Sequence, residues 1–333
     1  MTDYRLFGAD TSPYSLKVRA FLRYKGLAFD WISRSRANEP DFRANAQQVA
    51  TVPLLISPTR PASQDSTAML AALEADHPEP SAVPDDAACA MLALVLEDYG
   101  DEWLNKCMFQ QRWGQSPDRE AAALRVLTQL YDGKLPRARK APQKQIAERM
   151  ADRLPLVGAE AENWETLENS WRRFAGRLND HLKNHLFLFG GRPSVADFAI
   201  AAQFQQMLLD PTPGAWLQDR APFLVAWCEH MEDPRAGGPF EDLAVLSETL
   251  VPLFVPPTFH GPARTRLARR ETRSVSQPRS AMASSNNPHS NMPPSRSALF
   301  AQRWPNPAIM HHSRNSSKQR VPGSTSPDQN QKR

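Results

Sequence analysis

Apolar positions in the first eighty residues recur alternately at strand and at helix spacing. Tyr4-Arg5-Leu6-Phe7 predicts a short strand, and Gly8–Ser12 a turn. Pro13 then falls at the first position of a helix, with Ser12 as its N-cap. Tyr14, Val18, Phe21 and Leu22 recur at helical spacing, and Lys25-Gly26 closes the helix with a basic last turn and a glycine. Phe29-Asp-Trp-Ile32 predicts a second strand, so the opening is a right-handed crossover with a parallel pair. A helix is expected near Pro40–Ala46, a third strand at Thr51–Ile56 and a capped, alanine-rich helix from Ser66. Pro61–Asp65 lacks β-branched residues and makes a poor fourth strand. His77–Pro84 holds three prolines and reads as a linker.

Past Pro84 the apolar period is helical throughout. One long helix is expected over Asp86–Arg112 and another over Asp118–Tyr131, then a basic, proline-bearing interruption at Lys134–Pro142. Further helices follow near Gln143–Leu154, Ala161–Asn184, Ser194–Leu209, Arg220–Glu232 and Phe240–Leu250. From 258 to 333 the chain is rich in Ser, Pro, Asn, Gln and Arg. A segment so poor in apolar residues cannot offset the entropy of ordering it and is expected to be disordered. The expected organisation is an α/β domain over 1–80, an all-helical domain over 86–255 and a disordered basic tail over 258–333.

Charge is divided along the same boundary. The tail carries 13 Lys/Arg against 2 acids, leaving a net −7 for residues 1–257, so the pI near 9.0 describes the tail and not the folded body. Nucleic-acid binding is not expected of the body, and only weak, salt-sensitive phosphate contacts of the tail. Cys89, Cys107 and Cys228 are odd in number and far apart, which argues against a disulfide framework and suits a reducing compartment. No apolar run reaches the roughly 18 residues of a membrane helix and no secretory signal is visible, so a soluble, cytoplasmic protein is expected. His181 and His185 have ligand-like spacing, but no acid completes a metalloprotease motif. An exposed helix face is the plainer reading, and no metal site is expected.

Four local signals, in order and in two domains, resemble the glutathione S-transferase family. Ser12-Pro-Tyr-Ser-Leu-Lys-Val-Arg19 is similar to the active-site turn of its bacterial members. Val52-Pro53 is similar to their cis-proline before the third strand, and Asp65-Ser66 to the acidic-serine pair opening their third helix. Gly190-Gly-Arg-Pro-Ser194-Val-Ala-Asp197 is similar to the capping box of their helical domain. Leu96–Trp103, with Phe109 and Arg112-Trp113, looks like the first C-terminal helix of a less characterised bacterial subgroup. The resemblance covers about residues 4–253 and implies a thioredoxin-like glutathione-binding domain followed by an all-α domain, commonly in a homodimer.

It also implies a chemistry. Glutathione's thiol, with a pKa of roughly 8.5, must become a thiolate before it attacks an electrophilic carbon. A helix start offers orphan N–H donors and a favourable dipole, and a hydroxyl there adds one directed hydrogen bond. Ser12 and Ser15 are both candidates, and capping logic favours Ser12. The resemblance assigns Val52 and Pro53 to the cysteinyl backbone, Ser66 to the γ-glutamyl carboxylate and Asp65 to the amino group; plain capping explains Asp65-Ser66 equally. Serines where redox relatives carry C-x-x-C exclude disulfide exchange through this turn. Ser194 and Asp197 are read as structural. Leu96, Tyr99 and Trp103 share a helix face, where they either line a pocket for a small apolar electrophile between the domains or pack in the helical core. The chain departs from the family at Gln47–Thr51, where members often have Asn-Pro-x-Gly-Lys, so the lysine contact to the glycyl carboxylate is missing. Gln48 and Arg43 are the available substitutes. A glutathione-dependent transferase is expected, the alternative being a non-catalytic module of the same fold.

Overall fold

A computed structural model describes residues 4–46 and 50–254; the tail expected at 258–333, and Gln48, lie outside the described residues. Strands β1 (Tyr4–Gly8), β2 (Phe29–Ser33) and β3 (Leu54–Ile56) form one sheet in the order β2-β1-β3. β1 and β2 run parallel, with Leu6 opposite Trp31, joined through helix α1 (Pro13–Tyr24). β3 runs antiparallel to β1, with Phe7 opposite Leu54. The weak fourth strand is reduced to one bridge, Leu55 to Ser63.

Local chemistry accounts for these elements. The Ser12 hydroxyl accepts from the Ser15 N–H at 3.3 Å, Pro13 opens α1, and Gly26 leaves it at φ +66°, a conformation costly to any residue with a Cβ. Helix α2 (Glu39–Asn45) lowers Phe42 onto Phe7 and Leu54, all three fully buried. Each such side chain contributes about 1.5–3 kcal/mol by leaving water. Helix α3 (Ser66–Asp76) starts behind Asp65, whose carboxylate accepts from the Ala68 N–H at 3.1 Å.

In the helical domain, the long helix predicted over Asp86–Arg112 is interrupted. α4 (Ala87–Asp98) passes through a π-helical turn, Tyr99–Leu104, into α5 (Asn105–Gly114). Gly100 lies within that turn, where an added Cβ would come within 3.1 Å of Ala199. α6 (Asp118–Leu130) matches its expected span, while α7 (Lys140–Ala151) begins inside the stretch read as an interruption. Pro142 is tolerated there because first-turn N–H groups have no intrahelical partner in any case. α8 (Trp164–His181) and α9 (Val195–Leu208) follow. The single helix expected over Arg220–Glu232 is instead preceded by a separate one. α10 (Pro211–Arg220) and α11 (Pro222–His230) each open on a proline, which starts a helix as readily as it ends one. α12 is Leu243–Leu250.

α9 is buried almost all round and joins the two domains, its Phe198 ring meeting Phe21 of α1 edge to face at 5.1 Å. Its start is fixed as expected for Ser194 and Asp197. The Asp197 carboxylate accepts from the Ser194 N–H at 2.8 Å and the Leu188 N–H at 2.9 Å, and the Ser194 hydroxyl donates to it at 2.7 Å. The exposed face expected for His181 is corrected: its ring is fully buried, stacked on His185 at 4.6 Å. Its Nε2–H donates to the Leu188 carbonyl at 3.1 Å, which leaves Nδ1 to accept from the Thr249 hydroxyl at 2.8 Å.

Candidate functional site

Sheet register alone brings three candidate segments to one edge. β1 ends at Gly8 and the chain turns through Ser12 into α1. Since Phe7 lies opposite Leu54, Pro53 sits level with Gly8, at the end of β1 from which that turn departs. The bridge of Leu55 to Ser63 runs back in the same ladder, which brings Asp65 level with Pro53. The Val52–Pro53 bond is cis, and Gln64 donates to the Thr51 carbonyl at 2.7 Å, tying this turn to the start of α3. Ser12, Val52-Pro53 and Asp65-Ser66 therefore lie at the same end of the sheet.

The two serines separate cleanly. Ser12 is half-buried, and among the described residues its hydroxyl is engaged by the long bond from the Ser15 N–H. Ser15 is fully buried, and its hydroxyl has no hydrogen-bond partner among the described residues. It lies beneath Gly8, where an added Cβ would come 3.1 Å from the Ser15 Cβ and far closer to the Trp31 ring. A hydroxyl so enclosed is out of reach of solvent.

From the helical domain, two side chains reach the turn from behind. Arg112 of α5 donates through Nη1 to the Thr11 carbonyl at 3.1 Å, and Gln206 of α9 donates to the Asp10 carbonyl at 2.8 Å. Arg112 also pairs with Asp210 at 2.9 Å, and Arg125 of α6 takes the other oxygen of that carboxylate. Arg112, Gln206 and Asp210 are all buried.

A second ionic cluster lies beside α1. Lys17 is 1 % exposed and pairs with Glu97 at 2.5 Å and Asp101 at 2.7 Å, while Thr67 of α3 donates to Glu97 at 2.6 Å. One ammonium serves two carboxylates. Asp101, whose Oδ1 is buried without a partner, is pushed up to about 6 by burial despite the Lys17 ammonium, Glu97's charge acting in the same upward direction. Tyr14 adds a bond from its hydroxyl to the Asp101 carbonyl at 2.8 Å, holding the α1 start against the π turn. Sequence reasoning missed both clusters. The available signal was Lys17 itself, a cation on the apolar stripe of α1, four residues from both Pro13 and Phe21.

Leu96, Tyr99 and Trp103 do line a cavity together, of about 540 Å³, but its position between the domains is corrected. Every lining residue belongs to the helical domain, among them Ser170 and Phe174 of α8 and Leu253-Phe254. Tyr99 packs on Phe174 with ring centroids at 4.7 Å, and the Trp103 indole donates to Ser170 at 2.8 Å. The side of the same helix that meets α1 and α3 carries Glu97 and Asp101, two residues away in either direction and so on the opposite face.

Elsewhere the site is sparse in chemistry. Cys89, Cys107 and Cys228 are buried, and burial pushes all three thiols up, Cys89 to about 12. No cluster of three or more metal-ligating side chains occurs among the described residues, and none of their helices is long and apolar enough to cross a membrane. Arg43, a candidate for the missing lysine, is exposed and pairs with Glu39 at 2.7 Å.

Residues 6–81 match the glutathione S-transferase N-terminal domain, and residues 145–230 the glutathione S-transferase C-terminal domain. No curated protein matches the chain. Among solved structures, the chain is similar to a glutathione S-transferase from Methylobacterium radiotolerans in complex with glutathione sulfonate, with 20% identity, 72% of this chain and 96% of that one covered, and a TM-score of 0.42. It is also similar to the beta-etherase LigF from Sphingobium sp. strain SYK-6, with 21% identity, 69% and 95% coverage and a TM-score of 0.47. A GST-like protein from Pseudomonas syringae gives 21% identity, 79% and 80% coverage and a TM-score of 0.46.

Proposed function

The chain belongs to the glutathione S-transferase family, and on that premise we propose that it is a glutathione-dependent transferase whose thiolate is stabilised at Ser12. The observation carrying this is the contrast between a half-buried Ser12 at a helix start and a fully buried Ser15. The Ser12 hydroxyl and the first N–H groups of α1 stabilise the sulfur anion, and the thiol proton leaves to water. The thiolate then attacks an electrophilic carbon of a small apolar molecule. A C–S bond forms, and the leaving group departs with its bonding pair.

Val52, ahead of the cis Pro53, offers its N–H and C=O to the cysteinyl backbone. Ser66 and the α3 start take the γ-glutamyl carboxylate. Asp65, exposed and already capping α3, faces the amino group. The electrophile approaches from the crevice in front of Ser12, not from the cavity at Tyr99 and Trp103. Two copies assemble as a homodimer in this reading, which light scattering measures directly.

A conjugation assay with a generic aryl halide tests the proposal. Ser12→Ala is expected to lower turnover by about tenfold or more, and Ser15→Ala to leave it near wild type. Undiminished turnover of Ser12→Ala removes Ser12 from the mechanism. A second reading, a non-catalytic glutathione-binding module, is favoured by the absence of the lysine before the cis-proline. Retention on immobilised glutathione without turnover selects it.

A further inference from the structure

Resting on the transferase reading above, we propose that Arg112 is the positioning residue of the active-site turn: with Gln206 it holds the carbonyls of Asp10 and Thr11 and so fixes how Ser12 is presented. The Thr11–Ser12 peptide is held at both edges. Its carbonyl accepts from Arg112 at 3.1 Å, and its N–H donates to the Ala9 carbonyl at 3.0 Å. The preceding peptide is held through Gln206, and Arg112 sets the orientation of that amide. Arg112 Nη1 donates to Gln206 Oε1 at 2.8 Å, which turns Nε2 toward the Asp10 carbonyl. Arg112 Nη2 adds a bond to the Gln206 main-chain carbonyl at 2.8 Å.

Neutralising Asp210 does not account for this arrangement. Arg125 already supplies one guanidinium to that carboxylate, so Arg112 is a second cation on a single anion. Its three remaining acceptors, Thr11 O, Gln206 Oε1 and Gln206 O, lie outside the ion pair. A planar fork of donors can serve four acceptors at once, whereas a lysine ammonium cannot. The Arg112 guanidinium sits behind the turn that would hold a sulfur anion, the sign that favours the thiolate, while Arg125, Asp210 and the buried Asp118 lie further back in the same cluster. Arg112 touches no substrate atom; it acts through the Asp10–Ser12 backbone.

Ultraviolet titration of the bound glutathione thiol in the full-length protein tests this, with Arg112→Lys and Gln206→Met beside wild type. Both variants are expected to raise the thiol pKa by about one unit, a roughly tenfold loss of thiolate at a pH below it. Their dissociation constants for glutathione, measured at a pH below the bound thiol's pKa, should stay within about twofold of wild type, because Val52, Ser66 and Asp65 are untouched. Should Arg112→Lys fail to fold, Gln206→Met decides alone, since it leaves the Arg112–Asp210 pair in place. Variants that titrate like wild type and merely melt at lower temperature overturn the proposal and reduce Arg112 to scaffold. A wild type that binds no glutathione overturns the transferase reading as well, whereas unchanged variants beside a depressed wild-type thiol overturn only the role of Arg112.

Discussion

Two buried ionic clusters join the domains, one centred on a shared cation and the other on a shared anion. Beside α1, Lys17 is shared by Glu97 and Asp101, one carboxylate too many. Behind the Ser12 turn, one carboxylate, Asp210, is shared by two guanidinium groups, Arg112 and Arg125, with the buried Asp118 near it. The acid-rich cluster ties α1 and α3 to the π turn; the base-rich one holds the loop between β1 and α1. Buried ion pairs are poor net contributors to stability against apolar replacements of similar size, so their retention points to placement rather than to strength. In the base-rich cluster, burial pushes the Asp210 carboxyl up and the Arg112 guanidinium down. The acid-rich cluster titrates near neutrality, through Asp101.

That contrast can be broken from either side. The largest effect is expected from Lys17→Met, which leaves two buried carboxylates facing each other and should lower unfolding free energy by about 3–5 kcal/mol in urea denaturation. Adding Glu97→Gln and Asp101→Asn should recover most of the loss. A single-variant deficit under about 1 kcal/mol would show that the cluster is better solvated than its burial implies.

The next effect is a pH dependence. Asp101 titrates at about 6 in the folded protein against 3.8 in the unfolded chain. Between those values the folded state binds more protons, so wild type gains stability as pH falls through this window. Relative to Asp101→Asn the gain should reach about 3 kcal/mol on going from pH 7 to below 4. Parallel pH profiles for the two proteins would contradict the assignment.

The smallest effect belongs to Ser15→Ala. Its hydroxyl is buried without a partner among the described residues. Removing it should leave the melting temperature unchanged or raise stability by up to about 1 kcal/mol. A clear loss would reveal a bond that the structure does not contain.

What the sequence made legible was what local chemistry decides. Ser12-Pro13 and Lys25-Gly26 bracket α1, and Ser194 with Asp197 fixes the start of α9, because caps act within a few residues. The prolines were ambiguous: Pro142 closed a stretch read as an interruption and Pro211 fell outside every expected helix, yet both sit in first turns, where no intrahelical N–H is lost. The four-residue spacing of Tyr99 and Trp103 established a shared face, and only α8 packing on that face decided that it looks away from α1 and α3. Arg112 and Lys17 stayed hidden because their partners lie 50 to 101 residues away in the chain, and no pattern along the sequence pairs them.

The most direct test of the crevice is a crystal structure of the full-length protein with glutathione bound. The sulfur should lie within hydrogen-bond distance of Ser12 Oγ, with the cysteinyl main chain paired to Val52 and the γ-glutamyl carboxylate at Ser66. A tripeptide seated elsewhere, or one whose sulfur turns away from Ser12, would contradict the account.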